Sequence, residues 1–287
     1  MKTPKIFMSS GAFGRGSLSA ITSGARAWGI SNIELTANLE TEECWRSAIL
    51  DKSEFSFLLH NYFPPPPSPF VLNLASEDMA TLQLSLEHCR KAIDLSQSVG
   101  SPYYSVHAGF AALVRPEHLG KGIPADMRTD RRKAIKTFEK SVCDLVEYAA
   151  SHNVVLLIEN NVVEPVNLIN GENEMLLLAS GEEISEFAAR FYGPNFGMLI
   201  DVAHMNVSCQ SLKLDREAFT EMVAPFTKAL HLSDNDGFRD SNEPFDRSSW
   251  IVETLGAFEV DYVVIESYRL NKSQALECID AVEFAYE

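Results

Sequence analysis

Glu159, Asp201, His231 and Glu266 each close or sit within a short apolar run: VVLLIE, FGMLID, KALHLSD and YVVIE. Three carboxylates and one imidazole, with no thiolate, suit a hard or borderline divalent cation such as Mn²⁺, Mg²⁺, Co²⁺ or Zn²⁺. One such ion is the expected cofactor. Spacings of 42, 30 and 35 residues are each about one strand-plus-helix unit, so the four ligands would share one end of four successive parallel strands. Closing those strands into a barrel would make them converge. Glu159 and Glu266 could then act as bases on the two faces of a bound substrate. The metal would polarise a carbonyl and a neighbouring hydroxyl, one glutamate would remove a proton beside the carbonyl, and the other would return it.

Other polar residues fall at the same predicted end. His204 follows Asp201 by three residues in DVAH and is expected to touch substrate. His60, in LLHNYF, and His107, in SVHAGF, end two earlier strands and are candidates to line the pocket; with His204 and His231 they make four of the chain's seven histidines. The loop SDNDGFRD is rich in turn-forming Asp, Asn and Gly, but its Arg239 could hold a substrate carboxylate or phosphate. Glu34, in NIEL, also reaches the strand-end rim, where an ion pair would satisfy it equally well. GAFGRG fits neither the Walker nor the dinucleotide spacing and reads as a flexible first loop.

The elements that must position these groups are legible as eight strand-helix pairs, expected to give an α/β fold, a (β/α)8 TIM barrel. The strands are KIFMSS from Lys5, NIEL from Asn32, FSFLLH from Phe55, YYSVH from Tyr103, VVLLIE from Val154, FGMLID from Phe196, KALHLS from Lys228 and YVVIE from Tyr262. Most are apolar at nearly every position, as strands buried on both faces are. Helical periodicity predicts helices over 18–28, 41–51, 77–99, 129–152, 182–191, 216–224, 248–255 and 273–284. Three connections, 61–76 with its Pro64–Pro67 run, 108–128 and 161–180, exceed the usual αβ loop length and are candidate lids.

At 287 residues and 46% hydrophobic composition, the chain is expected to be one domain spanning 1–287. No apolar run suits a signal h-region or a bilayer span, so a cytoplasmic protein without membrane contact is the simplest expectation. The five scattered cysteines form no CxxC pair and read as reduced packing residues. A net charge of −16 opposes binding to phosphate backbones, making nucleic acid an unexpected partner. It leaves open a local basic pocket for a phosphorylated sugar, and a homo-oligomer.

Taken together, the motifs VLLIEN, LIDVAH, LHLSDNDG and VVIES resemble the xylose isomerase-like TIM-barrel superfamily, which holds sugar phosphate isomerases/epimerases, ketose 3-epimerases, hydroxypyruvate isomerases and endonuclease IV. The resemblance covers nearly the whole chain. It places Glu159, Asp201, His231 and Glu266 on the metal positions of the ketose epimerases, with Glu159 and Glu266 as the acid/base pair and His204 against substrate. The activity implied is isomerisation or epimerisation of a small carbohydrate. His60 and His107 also match metal-binding histidines of endonuclease IV, which opens a hydrolase or dehydratase alternative with a second metal. That enzyme's Asp-x-His after the seventh strand is here Asp240, Ser241, Asn242, without the histidine. A sugar-binding barrel without turnover is the third alternative.

Overall fold

The computed structural model describes residues 3–37, 39–40, 45–118, 121–191 and 193–287. Eight parallel strands close into one barrel: β1 Lys5–Ser9, β2 Asn32–Leu35, β3 Ser56–His60, β4 Tyr103–His107, β5 Val155–Glu159, β6 Phe196–Asp201, β7 Thr227–Leu232 and β8 Tyr262–Ile265. Each pairs with its sequence neighbour, and β8 returns to β1 through Lys5↔Tyr262 to Met8↔Ile265. All eight expected strands are present. A further parallel pair, Gly16–Ser17 with Leu39–Glu40, is too short to leave a periodic signal.

Around the barrel stand α1 Leu18–Trp28, α2 Trp45–Leu50, α3 Met79–Val99, α4 Arg131–Ser151, α5 Gly181–Phe191, α6 Val202–Leu212, α7 Arg216–Val223, α8 Trp250–Leu255 and α9 Lys272–Tyr286. The start of the helix expected over 41–51 lies outside the described residues; the other predicted helices agree to within a few residues. Their ends have local causes. Asp78 caps α3, and Gly100 at φ 78° closes it in the left-handed conformation. Asn271 and Gln274 form a reciprocal capping box on α9. Helix α6 was not anticipated from the sequence: its buried Val202, Ala203, His204, Met205, Val207, Ser208 and Cys209 surround the helix and blur the 3.6-residue stripe that marks amphipathic helices.

Two apolar layers result. The larger lies between strands and helices, with Ile33, Leu59, Val106, Ile158, Ile200, Leu230 and Ile265 meeting helical residues such as Ile93, Val142 and Ala281. The smaller fills the barrel: Phe7, Leu58, Tyr103, Leu157, Leu199, Ala229 and Val264. Because side chains alternate along a strand, the residue two positions beyond each plug residue faces the same interior, one layer higher. From Leu58, Leu157, Leu199, Ala229 and Val264 that step reaches His60, Glu159, Asp201, His231 and Glu266. The apolar plug is the floor of a polar layer.

The three long loops are laced to one another. Asn73 Oδ1 accepts from the backbone N–H groups of Ala75 and Phe110, and its Nδ2 donates to Phe110 O. Asn161 Nδ2 donates to Ala108 O, Gly109 O and Leu177 O. Backbone bonds from Ala111 to Met175 O and from Leu177 to Gly109 O complete the join. Among the cysteines, Cys89, Cys209 and Cys278 are buried, as packing residues should be, whereas Cys143 is exposed; Cys44 lies outside the described residues. The outward face of α4 explains Cys143. No described helix is long and apolar enough to cross a membrane.

Candidate metal centre

Glu159 stands at the hub. It ends β5 with no exposed surface, and four imidazoles surround its carboxylate. His60 Nε2 and His107 Nδ1 lie 3.3 and 3.2 Å from Oε2. His204 Nδ1 and His231 Nδ1 lie 3.7 and 3.4 Å from Oε1. His231 in turn places Nδ1 2.7 Å from Glu266 Oε2. Its other nitrogen, Nε2, donates to Glu34 Oε2 at 3.2 Å and lies 3.0 Å from Oε1. A carbonyl or carboxylate there can only accept, so Nε2 carries the proton whenever Nδ1 offers its lone pair.

Strand ends and helix starts set these positions. Asp201 closes β6 and caps α6, its Oδ1 accepting from His204 N at 2.8 Å; Oδ2 is left facing the centre. Asn160 locks the two strands, accepting from Asp201 N at 2.8 Å and donating to Asp201 O at 3.2 Å. His204 occupies both ring nitrogens, donating from Nδ1 to Asn160 O at 3.0 Å and sharing Nε2 with Asp240 Oδ2 at 3.2 Å. His60 Nδ1 meets Ser105 Oγ at 3.0 Å. His107 is the more open of the pair, with its side chain one third exposed.

Ligand atoms of Glu159, Asp201, His231 and Glu266 all lie within 4.8 Å of one another. Two ligands on one ion, each about 2.0–2.5 Å from it, stand no more than about 5 Å apart. Glu159 Oε1 and Oε2, Asp201 Oδ2 and His231 Nδ1 are buried and make no hydrogen bond of good geometry among the described residues, their contacts being the ion pairs of the cluster. Buried polar atoms without a well-formed hydrogen bond are costly, and a cation among the grouped ligand atoms of Glu159, Asp201, His231 and Glu266 would offset that cost. The residues therefore fit a divalent metal. His60, His107 and Glu159 form a second such group, and Glu34, His60 and His231 a third.

The titration behaviour without metal follows from this crowding. Burial opposes charge on Glu159, but His107, His60 and His231 outweigh it and hold the carboxyl well below its ordinary range. Burial likewise opposes charge on Glu266, yet His231 holds it down to about 2. For Asp201 burial wins, helped by Asp240, Glu266 and Glu159, and its pKa is raised well above normal despite His204. Burial disfavours the His231 imidazolium, but Glu34, Glu266 and Glu159 more than compensate and raise it well above the histidine range.

Two cavities open onto this layer and share Asn61 and His107. One, of about 410 Å³, is walled by Tyr62, Phe110, Lys121 and Asp240; the other, of about 480 Å³, by Gly11, Arg15, His60, Glu266 and Tyr268. A groove of about 650 Å³ between α6, α7 and α8 is lined by none of the four candidate ligands. Arg239 is exposed, with its backbone N–H bound to Asp236 Oδ1; it is not brought to the cluster. Sequence reading overlooked Asn160, Asp240 as the partner of His204, and Tyr268, whose hydroxyl donates to Glu266 Oε1 at 3.0 Å. The last had a signal: in extended chain, two residues past Glu266 is the same face.

Residues 25–270 match the family model described as xylose isomerase-like TIM barrel. The chain belongs to this family. Among solved structures, a D-tagatose 3-epimerase-like protein is similar with a TM-score of 0.74 at 17% identity, over 98% of this chain and 97% of that one. A putative xylose isomerase from Rhodospirillum rubrum follows at 0.69 and 13%, over 99% and 98%. An L-ribulose 3-epimerase gives 0.65 at 15%, over 98% and 91%. At such identities the likeness is one of fold. No curated protein matches the sequence.

Proposed function

We propose that this chain is a divalent-metal-dependent isomerase or epimerase of a small sugar, sugar phosphate or related carbonyl compound, with Glu159 and Glu266 as the proton-transfer pair. One observation carries the reading: two buried carboxylates from separate sides of the barrel converge on one imidazole, with His231 Nδ1 3.4 Å from Glu159 Oε1 and 2.7 Å from Glu266 Oε2. A divalent ion held by Glu159, Asp201, His231 and Glu266 would, when bound, polarise the substrate carbonyl and its neighbouring hydroxyl. One glutamate takes the proton from the carbon beside the carbonyl, and the C–H electron pair moves through carbon to the carbonyl oxygen, giving an enediolate. The other glutamate returns a proton to the opposite face or the adjacent carbon. His107, at the junction of both cavities, and His60 line the substrate's approach. His204, fixed between Asn160 and Asp240, borders it.

Epimerases among the structural neighbours support the reading. Its test is proton exchange. Mn²⁺-loaded protein incubated in D₂O with ketoses, inosose and hydroxypyruvate should place deuterium beside the carbonyl of at least one compound. Glu159→Gln and Glu266→Gln should each abolish the labelling. No label across the whole panel would remove the isomerase reading.

A specific observation favours a second reading, a metal-dependent hydrolase or dehydratase. His60, His107 and Glu159 form another compact group that shares Glu159 with the first, a geometry suited to a second ion. Two tightly held zinc ions per chain, measured by plasma mass spectrometry, would favour it; one exchangeable Mn²⁺ or Mg²⁺ would favour proton transfer.

A further inference from the structure

The two oxygens of Glu266 face different partners. Oε2 lies 2.7 Å from His231 Nδ1, on the candidate metal side. Oε1 accepts the phenolic proton of Tyr268 at 3.0 Å. Tyr268 is 42% exposed and, with Glu266, His60 and His107, lines the 480 Å³ cavity. Two neighbouring loops hold it there. Tyr268 N donates to Asn242 O in the β7 loop, while Arg269 N and Leu270 N donate to Gly11 O and Ala12 O in the loop after β1.

Gly11 is the counterpart of this arrangement. A Cβ built on it would stand 2.5 Å from both Cδ1 and Cε1 of the Tyr268 ring. The first glycine of GAFGRG is therefore needed for space: the aromatic ring lies where any other side chain would begin.

We propose that Tyr268 is a positioning residue for Glu266, and that Gly11 admits its ring; this rests on the proton-transfer reading above. The terminal torsion of a glutamate is broad and two-fold, so nothing intrinsic distinguishes its oxygens. The phenol does. It anchors Oε1 on the cavity side as the oxygen that meets the substrate proton and leaves Oε2 to the metal. Without the hydroxyl, Glu266 can turn both oxygens toward the ion, and the base is lost while the ligand remains.

The test uses full-length protein loaded with Co²⁺, whose visible band reports coordination number and geometry. Tyr268→Phe, which keeps the ring, should bind Co²⁺ within about threefold of wild type yet show a weaker visible band, as a second Glu266 oxygen raises the coordination number. Deuterium exchange into whichever carbonyl compound wild type labels should slow roughly 10- to 100-fold, the scale of a small misplacement of a reacting group, with KM nearly unchanged. Gly11→Ala should reproduce both effects, and the double variant should be no worse than either. A Tyr268→Phe protein with the wild-type Co²⁺ band would overturn the proposal, whatever its activity. Failure of wild type to label any compound would instead remove the isomerase reading and leave the spectral comparison intact.

Discussion

His231 shows how much of the site's behaviour is decided by individual groups. Its Nδ1 faces Glu159 and Glu266, and its Nε2 faces the fully buried Glu34. A carboxylate on the far nitrogen fixes the tautomer and makes the near nitrogen a better donor, the usual arrangement behind a metal-binding histidine. Glu34→Ala is expected to weaken Mn²⁺ binding about 10- to 100-fold, read by competition with a chromophoric chelator, and Glu34→Gln, which can still accept through its carbonyl, by less. Equal affinity in all three proteins would mean that Glu34 only fills space. Protons compete for the same centre. Burial disfavours the His231 imidazolium, but the surrounding carboxylates raise its pKa well above normal; burial and neighbouring acids raise that of Asp201. Both groups are proton-bound below their raised pKa values and must lose those protons to take a metal. Affinity should therefore fall as pH falls and rise as pH rises toward those values. Calorimetry in buffers of different ionisation heat should show proton release on Mn²⁺ binding; affinity unchanged from about pH 6 to about pH 9 would contradict this linkage.

At the scale of elements, the junction between β6 and α6 makes one side chain do two jobs. Asp201 Oδ1 caps the helix through His204 N, and the buried Oδ2 is left to the candidate metal group. Asparagine is as good an N-cap as aspartate, whereas alanine costs about 1 kcal/mol. Asp201→Asn should therefore lose metal but keep helix α6 capped, and Asp201→Ala should lose both. Denaturant unfolding of the metal-free proteins would show the difference, with Asp201→Ala the less stable by about 1 kcal/mol. If Asp201→Asn unfolded as easily as Asp201→Ala, the cap would not be the cause. The loops obey a similar logic. Connections expected as lids are fastened by Asn73 and Asn161 to neighbouring backbone, because a loop crossing the barrel mouth must satisfy its own N–H and C=O groups.

Across the whole molecule, the barrel concentrates several buried charges in one layer above an apolar plug. A ligand that binds only the folded chain stabilises it by mass action, about 2.7 kcal/mol at a hundredfold excess over Kd. Mn²⁺ should raise Tm in wild type by an amount that grows with concentration. In Glu159→Gln the increase should vanish, since the carboxylate that four imidazoles surround is altered. An equal rise in both proteins would place the stabilising ion elsewhere on this acidic surface.

Much of this was determined by sequence alone. Apolar runs that end in or contain Glu159, Asp201, His231 and Glu266 identified four of the strands and a shared rim, because strands buried on both faces are apolar throughout. Within each strand, pleat geometry and not a sequence pattern set which side chains face inward. Tertiary structure decided what periodicity cannot encode. Helix α6 is buried all round and carries no stripe; Asp240 reaches His204 only because the β7 loop folds back across the site; Arg239, close to His231 in sequence, is carried outward by the same loop. Gly11 and Tyr268 lie at opposite ends of the chain, and they meet because β8 closes against β1.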